Sequence, residues 1–229
     1  MEEGLMKPSW FLHLTEIIRA IFETLKGYFY VKNTAQQSIG NGRVVVVLPG
    51  LLSTDTSTKI LRRYLQKLGF TVYGWEMGRN LGRMAMLPVL AEKVADLSGK
   101  HNQKLILIGW SMGGIFAREI AKLKPENVEK IITIGSPFAD VYAPNHARWV
   151  FDLLNDTKDL IPEIVEQLAV PPTQTTVAFY SKKDGIVPWK ACMDLPETSL
   201  HQNIEITSSH FAMGANAIVL KALTVVLEK

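Results

Sequence analysis

The chain has 229 residues, of which 47% are apolar and 21% charged, and its formal net charge is only +3. That balance suits one α/β domain with a substantial core, and the scattered basic residues leave no footprint for nucleic-acid binding. Cys192, the single cysteine, excludes an internal disulfide and is expected to be a buried thiol in a reducing compartment. The acidic start MEEG does not fit a secretory signal, and no apolar run approaches ~18 residues, so a cytoplasmic location without a membrane span is expected.

Residues 9–31 (SWFLHLTEIIRAIFETLKGYFYV) predict an amphipathic helix. At about 100° per residue, Trp10, Phe11, Leu14, Ile17, Ile18, Ile21, Phe22, Leu25, Tyr28 and Phe29 share one arc, with Glu16, Arg19, Glu23 and Lys26 opposite. A stripe that broad is expected to pack on the chain's own body. A homodimer contact and docking on a membrane surface are the alternatives, and the mixed charge of the polar face weighs against the membrane.

Beyond the polar linker NTAQQSIGNG, strands alternate with helices. Strands are expected at 43–49, 70–75, 104–109, 128–135, 175–181 and 203–209, with helices over 56–69, near 86–98, over 112–124 and from the last strand to 228. Near-continuous apolar strands between helices imply one doubly wound, mostly parallel sheet covered on both faces. The gap at about 138–172 reads as a small helical cap inserted at the edge where active sites form.

Within LILIGWSMGGIFARE, Ser111 stands where the third strand turns into a helix, fenced by Gly109, Gly113 and Gly114. A serine hydroxyl needs a general base and must project from the sheet edge. A strained strand-to-helix turn achieves the projection, and glycines at 109 and 113 remove Cβ atoms from crossing backbones. Simple helix capping by Ser111 does not explain those glycines.

The base expected for Ser111 is His210, in SSHFAMG just past the last strand; His201 precedes that strand and falls at the opposite edge. His13, His101 and His146 read as surface or cap residues. Asp184, in YSKKDGIVP after the fifth strand, is the expected acid, fixing the imidazole tautomer. Its rivals are Asp140, Asp152, Asp156 and Asp159. Two backbone N–H groups, of Met112 after the serine and of Leu51 after the first strand, are the expected oxyanion donors.

The set LPGLLSTDT, YGWEMGRNLG, IGWSMGG, YSKKDGIVPW and SSHFAMG resembles the α/β-hydrolase superfamily, in particular its small lipase- and esterase-like serine hydrolases. The resemblance implies a six-strand sheet ordered 4-3-5-6-7-8 in that family's strand count. The opening pair of strands common in the family is replaced here by the N-terminal helix.

No paired-histidine motif suggests a metal and no phosphate-binding loop appears, so no cofactor is expected. The expected reaction is carboxylic ester hydrolysis through an acyl-enzyme, with a small-molecule or lipid ester as substrate. An acyltransferase using the same residues, or a catalytically silent binding protein, are the alternatives. Leu52, Trp110, Trp149 and Trp189, with Leu51, Met112 and Phe151, are the expected lining of an acyl pocket.

Overall fold

The computed structural model describes residues 6–154 and 167–228, with the Val150 side chain left aside. Three apolar runs form the centre of the sheet: β1 (Val44–Leu48), β3 (Leu105–Trp110) and β4 (Val128–Ile134). β1 and β3 are buried at every residue, as strands covered on both faces must be. β2 (Thr71–Tyr73) flanks β1, and β5 (Thr175–Tyr180) and β6 (His201–Glu205) complete the other side. The order is β2-β1-β3-β4-β5-β6 with all pairs parallel, the order implied by the family resemblance.

Alternate residues along each strand feed two cores. On one face, α3 (Leu87–His101) and α4 (Met112–Leu123) pack on Val44, Val46, Leu105 and Leu107. On the other face, α2 (Lys59–Lys67) and the closing helix, α6 (Ala217–Leu227), cover Val45, Val47, Ile106 and Ile108. The cap contributes α5 (Arg148–Leu154) between β4 and β5, and the rest of its helical pattern at 155–166 lies outside the described residues.

Two of the element boundaries that differ from expectation have a visible cause. α2 is α-helical only from Lys59, because Ser57 and Thr58 donate their hydroxyls to the carbonyls of Thr54 and Asp55 and hold a turn instead. β6 ends at Glu205 rather than 209. The Ile206 N–H makes the last ladder bond, to Tyr180 O, and residues 207–209 leave the sheet.

The N-terminal helix, α1 (Trp10–Asn33), carries the larger correction. It lies against α2 and α6, yet the buried positions are Glu16, Ala20, Gly27 and Val31. The apolar stripe faces outward: Trp10, Phe11, Leu14 and Ile17 are each at least 65% exposed. Close approach explains the choice of inner face, because a Cβ at Gly27 would overlap the carbonyl of Ala215. The two glutamates explain the rest, since their carboxylates meet backbone donors on the body.

Candidate active site

Ser111 follows the last residue of β3 and caps α4 with φ 51° and ψ −123°. A positive φ at a non-glycine residue costs about 1–3 kcal/mol and persists where its surroundings enforce it. The enforcement is visible in three glycines. A Cβ at Gly109 would strike the backbone of Gly113 and Gly114, one at Gly113 the Leu48 carbonyl, and one at Gly114 the Ser136 hydroxyl. The turn therefore lifts the Ser111 side chain off the carboxyl edge of the sheet.

His210 and Asp184 converge on that hydroxyl from two other loops. His210 Nε2 lies 3.0 Å from Ser111 Oγ, and its Nδ1 lies 2.6 Å from Asp184 Oδ2. The second oxygen, Asp184 Oδ1, accepts the N–H groups of Ile186 and Val187 at 2.7 and 2.8 Å, which fixes the carboxylate plane. The Trp110 indole donates to the His210 carbonyl at 3.1 Å and holds the loop from behind. Burial by itself would push the His210 imidazole down. The charge and hydrogen bond of Asp184, with the charge of Glu16, outweigh burial and hold its pKa above the ordinary histidine value.

Glu16 and Glu23, which the sequence places on the polar face of α1, are part of this site. Glu16 is 1% exposed; Oε2 accepts the Gly185 N–H at 3.1 Å and Oε1 the Phe211 N–H at 3.0 Å. Those donors belong to the residues that follow Asp184 and His210, so one carboxylate clamps both loops. Arg19 pairs with it at 2.8 Å. Burial raises the Glu16 pKa, with the Asp184 charge adding to it, against the Phe211 N–H, His210 and Arg19. Two turns of α1 further on, Glu23 Oε2 accepts from Ser208 Oγ, Ser209 N, Ser209 Oγ and Asn216 Nδ2 at 2.8–3.0 Å. The sequence signal available for both was their position seven apart, opposite the apolar stripe.

The loop after β1 approaches the elbow through Gly50, where a Cβ would sit 3.3 Å from Ser111 Cβ. Fully buried Asn80 braces it from the GRNLG segment. Its side chain donates to Pro49 O at 2.8 Å and accepts the Gly82 N–H at 2.9 Å, while its carbonyl accepts the Leu52 N–H at 2.7 Å. Among the described residues no acceptor takes the N–H of Leu51 or of Met112. Beside these donors and Ser111 opens a cleft with room of about 90 Å³ for small groups, its apolar walls including Leu51, Met84, Ile115, Val141, Phe151 and Leu168.

A family model described as a PGAP1-like alpha/beta domain matches residues 75–188, a stretch that holds Ser111 and Asp184. Among solved structures, the chain is similar to a mature lipase from Bacillus licheniformis, with a TM-score of 0.63 and 15% identity over 85% of this chain and 94% of that one. It is similar to a monoacylglycerol lipase from Paleococcus ferrophilus, with a TM-score of 0.61 and 13% identity over 85% and 96%. A third similar structure is an extracellular α/β-hydrolase from a Paenibacillus species, with a TM-score of 0.54 and 16% identity over 80% and 98%. The chain has the α/β-hydrolase fold. No curated protein matches it significantly by sequence.

Placed in the α/β-hydrolase frame, several expected pocket residues fall elsewhere. Leu52 adopts φ 59° and is 38% exposed, its N–H spent on Asn80. Trp110 is a buried β3 residue in the core on the α2 and α6 face. Trp149 is 68% exposed on α5. Trp189 stacks on Tyr180 at 5.5 Å, outside the cleft wall. Large apolar residues near a motif are legible in a sequence, but the cap geometry that decides which of them face the cleft is not. Leu51, Met112 and Phe151 do line it.

The remaining candidates are accounted for by other partners. Asp140 accepts the Tyr142 N–H at 2.9 Å, Asp152 pairs with Arg148 at 2.6 Å, and Asp156 and Asp159 lie outside the described residues. His201 opens β6 at the amino edge and meets Pro172 O. His101 meets the Tyr73 hydroxyl, and His13 stacks on His146 at 3.8 Å, joining α1 to the cap. Cys192 is 2% exposed, and burial pushes its thiol well above the usual range, away from nucleophilic use.

Proposed function

We propose that the protein is a serine hydrolase of carboxylic esters working through a Ser111–His210–Asp184 triad. The observation that carries this reading is the continuous hydrogen-bonded line from Ser111 Oγ through His210 to Asp184 beside two unpartnered backbone N–H groups. Ser111 Oγ attacks the ester carbonyl while His210 Nε2 takes its proton, and the N–H groups of Leu51 and Met112 hold the developing oxyanion. The imidazolium returns the proton to the leaving alcohol, which departs and leaves an acyl-serine. Water, deprotonated by the same imidazole, then releases the acid and restores Ser111. Asp184 keeps Nδ1 protonated and stabilises the imidazolium without taking its proton.

The apolar cleft supports an uncharged acyl chain as the group bound, and two of the similar structures are lipases by name. Turnover of p-nitrophenyl esters of graded chain length tests the reading. Ser111→Ala is expected to lower kcat by several orders of magnitude, up to ~10⁶. Retained activity in that variant would remove Ser111 from the mechanism. Product analysis with an added alcohol acceptor reads whether water or the alcohol takes the acyl group.

A further inference from the structure

The outward face of α1 is unlike the surface around it. Ten apolar side chains from Trp10 to Phe29, each 45–74% exposed, run along about 28 Å of helix at 1.5 Å per residue. They fill an arc of about 140° at 100° per residue. Contiguous exposed apolar surface on this scale marks a contact with something other than water.

The charges on α1 are sorted between its faces. Its acidic residues are Glu16 and Glu23, and both carboxylates are turned inward on the loops that carry Asp184 and His210. Arg19 is turned inward with them, on Lys183 O, Leu12 O and Glu16. Lys26, just beyond the border of the stripe, and Lys32, inside its C-terminal end, are exposed, as is Lys7 just before the helix. The mixed charge that weighed against a membrane in the sequence is therefore absent from the surface α1 presents. What remains outside is apolar residues, including Trp10, Tyr28 and Phe29, with cations alone.

We infer that α1 docks the protein on the surface of an anionic lipid bilayer. An apolar stripe with lysines at its margins is complementary to acyl chains beneath anionic headgroups. A second copy meeting the same face across a two-fold axis would bring the same lysines and no carboxylate from that stripe to pair with them. α1 lies on the surface rather than crossing it: among the described residues no helix is long and apolar enough to span a membrane. Its first turn touches the cap, where Trp10 packs on His146 at 4.9 Å, so docking brings the cap and cleft near the lipid.

Flotation of the full chain with lipid vesicles tests this inference apart from the reaction, because Ser111→Ala is expected to bind like the natural chain. The natural chain should float with phosphatidylcholine vesicles containing phosphatidylserine and much less with phosphatidylcholine alone. Ile18→Ser, Phe22→Ser and Leu25→Ser together remove apolar groups at least 50% exposed. That variant should melt as the natural chain does, yet lose about 100-fold or more in partitioning. Lys26→Glu with Lys32→Glu should lose roughly 25-fold or more on the anionic vesicles alone. Natural chain that stays with the soluble fraction, or that binds no better than the triple variant, overturns the inference. So does a dimer in solution that the triple variant dissociates without any vesicle binding.

Discussion

Glu16 ties the N-terminal helix to the chemistry, because its two oxygens hold the N–H groups next to Asp184 and His210. Its charge also reaches His210 and is among the influences that raise the imidazole pKa. In the proposed role of base His210 must be neutral, so kcat/KM is expected to rise with pH through a value above 6.5, the ordinary histidine pKa. Glu16→Gln removes one raising influence, so the acidic limb should move to lower pH, with kcat on the plateau reduced more modestly. A residue that merely supported the fold would lower activity without moving the limb. The spacing of seven from Glu23 is the one mark Glu16 carries in the sequence, and it does not single out a functional residue, since a glutamate on the polar side of an amphipathic helix reads as solvated. Ser111, Asp184 and His210 were legible because each sits at a strand end in an order that brings them to one edge.

At the scale of elements, α4 has to stay fixed for the Ser111 turn to keep its strain. Arg118 on its inner face is fully buried and donates to both oxygens of Asp194 at 2.8 Å, with its guanidinium 3.7 Å from the centre of the Phe138 ring. Arg118→Ala leaves the Asp194 carboxylate buried without its partner and is expected to cost about 3–5 kcal/mol. Equilibrium denaturation reads that loss. Asp194→Leu added to Arg118→Met should recover much of it, because an apolar pair of similar volume leaves no orphaned charge. Helix α1 teaches the converse about patterning. Its periodicity placed the helix within two residues at each end, but it could not say which face turns inward. The rule that apolar faces are buried gave way to two carboxylates with backbone donors waiting for them.

Across the whole molecule, the sheet was the most legible part. Buried parallel strands need long apolar runs, and those runs are plain in β1, β3 and β4. β6 was displaced in the reading because Thr207, Ser208 and Ser209 look like strand residues, whereas Ser208 and Ser209 leave the sheet to bond Glu23 from a distant helix. The cleft depended on the cap, whose walls come from residues scattered between Leu51 and Val187, and no local pattern marks them. All of these parts bear on the proposed reaction: the fold brings His210 Nε2 to 3.0 Å from Ser111 Oγ, the approach through which the hydroxyl would become a nucleophile. Labelling the full chain with a fluorophosphonate, followed by peptide mass spectrometry, measures that property directly. The label is expected on Ser111 alone, and its rate should collapse in His210→Ala. An unlabelled Ser111, or labelling that proceeds unchanged without His210, would contradict the claim.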